Sequence, residues 1–228
     1  MPLCEAAAQL ESRYRKLYSI HGYSPKSLGW EKGKQMIRFD ILTSQYDFTG
    51  KSVIDIGCGF GDLNKTLKRW QNSSYFGVDL VEEFIALARQ LYGCDGVAFD
   101  CGDFLKMDYG QVFDYAICSG AFNVRLRDNY DFVDASMAKA CEIARDGFAF
   151  YFLSDKVDYE LGHAFHFSPS RILDMAYKYS RNVVLRNDYM PFEFSIFVFK
   201  DDSFTTHDTM FNRYKELSGI TDANIEGV

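Results

Sequence analysis

An aspartate at Asp55 is followed by glycines at Gly57, Gly59 and Gly61, all inside the run VIDIGCGFGDL that starts at Val53. Glycines at that spacing let a main chain turn tightly and come close to a ligand. Further acids stand at Asp79, about two dozen residues on in YFGVDL, and at Asp103 in AFDCGDFL. Histidine, the side chain suited to proton transfer near neutral pH, occurs four times. Two of these, His163 and His166, share the aromatic loop LSDKVDYELGHAFHF. These residues describe a main-chain cradle, a series of hydrogen-bond-accepting carboxylates, and a candidate base.

A dinucleotide, a phosphate and a sulfonium nucleoside can each sit over such a cradle. A G-x-G-x-x-G dinucleotide fingerprint needs a third glycine where this chain has Asp62. No Gly-Lys-Ser/Thr ending is present, which removes the phosphate-cradling loop. A carboxylate at the end of a strand, as at Asp79, suits a ribose diol through two charge-assisted hydrogen bonds. Asp103 is placed to accept the exocyclic amine of an adenine with Phe104 packed on the base, or to cap the turn that follows it. Three acids without a phosphate binder favour a nucleoside that carries positive charge.

The elements that must position these residues follow from periodicity. Cys4 to Tyr18 and Glu31 to about Tyr46 read as helices, the first carrying a small basic patch of Arg13, Arg15 and Lys16 on a solvated face. Strands are predicted at 52–56, 75–80, 96–100, 113–118 and 147–153, alternating with helical runs through Leu63–Trp70, Val81–Leu91 and Val133–Ala144. Ser168 and Pro169 mark the start of a helix through about Tyr179, as N-cap and first helical position. The runs NVVLRNDYM and FEFSIFVFK, separated only by Pro191, must pair antiparallel, because a parallel return needs a long crossover. The expected fold class is α/β, a Rossmann-like, mostly parallel seven-stranded sheet with helices on both faces and an antiparallel C-terminal hairpin. One domain is expected over residues 1–228, with a helical cap at 1–48, an α/β core at 49–200 and a tail at 201–228.

Net charge of −7 argues against a nucleic-acid partner, which needs clustered Lys and Arg. With no signal peptide and no apolar run of membrane-span length, the chain is expected to be soluble and cytoplasmic, with no membrane partner. Six cysteines without a CxxC pair read as structural thiols, and no metal site is expected. The oligomeric state is not legible.

VIDIGCGFGDL, YFGVDL, AFDCGDFL and FDYAICSGAFNV, taken in order, resemble the nucleotide-site motifs of class I S-adenosylmethionine-dependent methyltransferases. The match runs closely from Lys51 to Val124, and NDYMPFEFSIFVFK resembles that fold's last strands. The resemblance implies S-adenosylmethionine as cofactor. Asp55 and the Gly57-Cys58-Gly59-Gly61 backbone would hold its methionine portion. Asp79, with Leu80 beside it, would hold the ribose, and Asp103 with Phe104 the adenine. Ser119 and Gly120 would line the far side. Arg38 is placed to pair with the methionine carboxylate and Trp30 to lie near the sulfonium, against the plainer reading of a surface arginine and a core tryptophan.

Methyl transfer from a sulfonium is an in-line displacement that depends on positioning, and a hydroxyl acceptor also needs a base. His163 or His166 is expected to be that base or a substrate contact, the alternative being that they cap or pack their loop. Asn123 follows the fourth strand. Tyr189 and Glu193 flank Pro191, where they reach substrate or pair across strands, and His21 is a further substrate candidate. Ser119 and Asn123 stand where a metal-assisted catechol mechanism needs carboxylates, and no Asn-Pro-Pro-Tyr signature is present. The expected activity is methylation of an O or N nucleophile on a small molecule. The alternatives are a catalytically silent accessory subunit of the same fold, or aminopropyl transfer from the same nucleoside.

Overall fold

The computed structural model describes residues 2–30, 34–201 and 209–219. Helix α1 (Pro2–His21) leads through a 3-10 turn (Pro25–Leu28) to α2 (Gln35–Leu42). There follow β1 (Ser52–Ile56), α3 (Leu63–Leu67), β2 (Ser74–Asp79), α4 (Glu82–Tyr92), β3 (Val97–Cys101) and β4 (Phe113–Cys118). The chain continues with α5 (Asn129–Ile143), β5 (Ala144–Leu153), α6 (Pro169–Ala176), β6 (Asn182–Arg186), β7 (Glu193–Phe199) and α7 (Asn212–Ser218). No helix among the described residues is long and apolar enough to cross a membrane.

The seven strands lie in the order β3-β2-β1-β4-β5-β7-β6. All pairings from β3 to β5 are parallel, and β7 runs antiparallel to both β5 and β6. The chain winds outward from β1 to β2 and β3, then returns to place β4 on the other side of β1. That reversal opens a crevice beyond the carboxyl ends of β1 and β4, the place where open α/β sheets bind ligands.

Alternation along β5 shows how the sheet is covered. Phe148, Phe150 and Phe152 enter one core with Val133, Met137, Ile172 and Met175 from α5 and α6. Ala149 and Tyr151 point the other way, into a second core with Phe39, Leu42, Leu63, Leu67 and Ile85 from α2, α3 and α4. A central strand buried on both faces reads as an unbroken apolar run, which GFAFYFL is.

Several boundaries differ from the sequence expectation for physical reasons. Ala144 begins β5 instead of ending a helix, because α5 passes directly into the strand without a connecting loop. The second helix starts at Gln35; its expected beginning, Glu31, lies outside the described residues. Ser168 occupies the N-cap position of α6, but its hydroxyl bonds Ser170 Oγ at 3.0 Å and makes no capping bond to the main chain. Within the expected tail, α7 folds back: Arg213 donates to the Gln45 carbonyl at 2.6 Å and lies 3.9 Å from the Phe199 ring centroid.

Candidate functional site

The β1–loop turn is built around two carboxylates. Gly57 and Cys58 N–H groups donate to the Val78 carbonyl at 2.8 and 3.0 Å, which ties the loop to the end of β2. Gly59 N–H donates to Asp79 Oδ2 at 2.9 Å, and Val81 N–H donates to Asp79 Oδ1 at 3.0 Å. Asp79 therefore fixes both the glycine loop and the start of α4. Gly59 has φ +54°, the left-handed region that favours glycine, and a Cβ there would press on the Leu28 side chain 2.8 Å away.

Asp55 is buried and accepts a 2.6 Å hydrogen bond from the Tyr75 hydroxyl. Burial pushes its carboxyl up to about 7; the Tyr75 bond opposes this, and the nearby Asp79 and Asp62 carboxylates add to it. Burial likewise raises Asp79, with the backbone N–H groups of Val81 and Gly59 acting in the opposite direction.

These groups line a narrow cleft of about 80 Å³ with Cys58, Leu80, Ser119 and Gly120. Its cover is the N-terminal segment: Leu10 and Tyr14 of α1, Leu28, and Trp30. Beside it lies a larger cavity of about 360 Å³, and the two share Tyr14, Leu28, Trp30 and Gly120. The division between them is Trp30 stacked on Gly120. Gly120 has φ +100°, and a Cβ there would stand 2.7 Å from the indole.

The larger cavity draws on α1, the loop after β4, the loop after β5 and the hairpin. His166 Nδ1 lies 2.8 Å from the Ser154 carbonyl. A carbonyl only accepts, so Nδ1 donates in this bond and Nε2 is the ring's remaining nitrogen. That Nε2 is buried and has no hydrogen-bond partner. Asn123 accepts from Leu153 N–H at 3.0 Å through Oδ1, which leaves its Nδ2 buried and unpartnered. Ser119 Oγ is unpartnered as well. Buried polar groups are normally satisfied, so these groups, with Arg13 Nε a fourth, mark the cleft and its neighbouring cavity as a place prepared for a ligand. A nucleoside with a cationic amino-acid chain fits the donors and acceptors of the cleft: two carboxylates, a hydroxyl and an open glycine backbone.

Some expected residues lie elsewhere. Arg38 makes a bidentate ion pair with Glu193, Nε to Oε2 at 2.9 Å and Nη2 to Oε1 at 2.5 Å, and both side chains are buried. Its guanidinium lies 4.1 Å from the Trp30 ring centroid. Arg38 thus braces Trp30 from the wall of the larger cavity and does not line the narrow cleft. Asp103 caps its own turn, accepting from Leu105 N–H at 3.1 Å and pairing with Lys106 at 3.0 Å. Phe104 is buried in the core against Tyr109, away from the cleft. Gly61 packs under Phe99 and Tyr92. Tyr189 bonds Ser195 across the hairpin at 2.9 Å, and His21 is exposed at the end of α1. His163 stands exposed at the cavity rim, with its carbonyl accepting from Arg125 N–H at 3.0 Å.

Sequence reasoning did not find Tyr14, Tyr151 or Arg13. Tyr14 covers the cleft from α1, and burial pushes its phenol up to about 12. Tyr151 projects from the interior of β5, its ring 5.9 Å from Trp30. Arg13 turns inward to the larger cavity instead of joining Arg15 on the solvated face. Leu10 and Tyr14 shared a visible helical stripe, but nothing in it marked the stripe as a cover over the strand ends.

A family model described as a methyltransferase domain matches residues 53–148. Rv1506c of Mycobacterium tuberculosis, a protein named as a methyltransferase, is 30% identical over 158 residues, spanning 65% of this chain and 93% of that protein. Among solved structures, the 1,6-didemethyltoxoflavin-N1-methyltransferase of Burkholderia thailandensis superposes with a TM-score of 0.64 at 17% identity, over 87% of this chain and 89% of that one. The magnesium protoporphyrin IX methyltransferase of Synechocystis gives 0.59 at 16% identity, over 83% and 93%. At those identities the structures share the fold.

Proposed function

This chain belongs to the class I S-adenosylmethionine-dependent methyltransferase family, and from that premise we propose that it methylates a hydroxyl group of a small organic acceptor, with His166 as base. The observation that carries this reading is His166, a wall residue of the cavity that adjoins the cofactor cleft, whose Nε2 is buried without a hydrogen-bond partner. When bound, the cofactor supplies a methyl group made electrophilic by its sulfonium.

In this reading Asp79 accepts from the ribose hydroxyls, while Asp55, Ser119 and the glycine backbone hold the amino-acid portion. Trp30 on Gly120 stands at the edge the two compartments share, beside the place where cofactor and acceptor must meet. The acceptor lies in the larger cavity with its hydroxyl toward His166, which takes the proton at Nε2 as the oxygen gains the methyl group. The Ser154 carbonyl stabilises the imidazolium that results. An adenosyl group needs room on the scale of a typical ligand site, on the order of 300–1,000 Å³, so Tyr14 and Leu28 move outward to admit it.

Thermal unfolding with S-adenosylhomocysteine tests the cofactor assignment, with NAD as control. At about 100 times its Kd the nucleoside adds ~2.7 kcal/mol, a rise of roughly 5–10 °C for a chain of this size. Asp79→Ala abolishes that rise while the protein remains folded. If NAD shifts the midpoint equally, or the variant responds like the wild type, the assignment falls.

A further inference from the structure

Arg13 is the one arginine of the larger cavity that nothing in the described protein neutralises. It sits on the inner face of α1 between Leu10 and Tyr14, a face held down where Leu10 packs on Val124 and Leu126. Its neighbour Arg15 pairs with Glu11 and Glu83, each at 3.1 Å. Arg13 has no ion-pair partner among the described residues, and its Nε is buried without a hydrogen-bond acceptor. Leaving a buried N–H unmet is costly, so this Nε, on a half-buried arginine that lines an open cavity, points to an acceptor brought in from outside.

The charge of the wall agrees. Among the described residues, Arg13, Lys34 and Arg38 line the cavity, and the sole carboxylate is Glu193, which Arg38 already holds. A chain of net charge −7 has here gathered positive charge around one compartment, and such a pocket draws and retains anions. The rest of the wall is apolar, including Val157, Leu161, Met190 and Phe192. Resting on the methyltransferase reading above, we infer that the acceptor is an amphiphilic organic acid: an apolar body with a hydroxyl that reaches His166 and a carboxylate that pairs with Arg13.

The test uses the full chain saturated with S-adenosylhomocysteine. Calorimetric titration compares 4-hydroxybenzoate, 4-hydroxyphenylacetate and 12-hydroxydodecanoate with their primary amides. The expected result is that at least one acid binds 10- to 100-fold more tightly than its amide. Arg13→Gln erases the difference, and Arg13→Lys, which keeps the charge, retains part of it. Three outcomes overturn the inference: no acid outbinds its amide, the preference survives Arg13→Gln, or Arg13→Gln weakens S-adenosylhomocysteine itself but not methylthioadenosine. The last would give Arg13 to the cofactor's own carboxylate. Failure of the wild type to bind S-adenosylhomocysteine at all would sink the parent reading, and this inference with it; failure of the acids alone sinks only the inference.

Discussion

His166 donates its Nδ1 proton to the Ser154 carbonyl across 2.8 Å, and the chain between them is pinned at both ends. Phe167 N–H donates to the Leu153 carbonyl at 2.8 Å, and Asp155 N–H donates back to the Phe167 carbonyl at 2.9 Å. This short parallel bridge extends the rigid end of β5 into the loop. A base acts efficiently when another group fixes its tautomer and aim; in the role proposed for His166, the Ser154 carbonyl would supply the first and this bridge the second.

Replacing His166 with Ala should therefore damage transfer and spare cofactor binding. With any acceptor that the wild type methylates, kcat is expected to fall by about 10²–10⁴. The Kd of S-adenosylhomocysteine, titrated separately, should change less than twofold. A variant with an unimpaired kcat would remove His166 from the chemistry.

With Asp55 holding the amino-acid portion as proposed, cofactor binding is expected to depend on pH. Its carboxyl stands at about 7 in the folded chain against 3.8 unfolded, because it is buried. The folded state thus holds the extra proton, and the stability of the ligand-free protein declines as pH rises from about 4 to about 7. An ammonium group beside Asp55 favours the ionised form, so binding is weaker below pH 7 and releases a proton there. The midpoint rise given by S-adenosylhomocysteine should grow between pH 6 and pH 8, and Asp55→Asn should flatten that dependence. A rise equally steep in the variant would place the linkage elsewhere.

The residues proposed for the cofactor half of the site stand out in the sequence because they are local to strand ends. β1 and β2 are parallel neighbours with Asp55 opposite Gly77, so an acid at each carboxyl end converges on the same crevice. Asp55, Gly57, Gly59 and Asp79 come from the glycine spacing together with the methyltransferase resemblance, and the structure brings them to one cleft. Phe104, read beside a strand-end acid as packing on a base, lies in the core against Tyr109, next to the cap that Asp103 forms on Leu105. Contacts that depend on helix seating or strand register stayed hidden. Arg13 looked like a third member of a basic patch, and only the docking of α1 on Val124 and Leu126 turns it inward. Arg38 and Glu193 are 155 positions apart, joined by the packing of α2 against a sheet whose last strand inserts between β5 and β6.

That pair gives a prediction in which stability and binding separate. Glu193→Gln leaves a buried guanidinium without its counter-charge, and breaking a buried pair on one side costs about 3–5 kcal/mol. Urea unfolding should show that loss. Replacing both partners, as Arg38→Leu with Glu193→Leu, removes the uncompensated charge, and apolar replacements of buried pairs are often neutral or stabilising. Most of the stability should then return. Binding should not, because Arg38 also lies 4.1 Å from the Trp30 ring centroid and helps hold the indole on Gly120. The double variant is expected to unfold at nearly the wild-type urea midpoint yet bind S-adenosylhomocysteine more weakly. Recovery of both properties together would show that Trp30 keeps its place without the cation, and that the pair serves the fold alone.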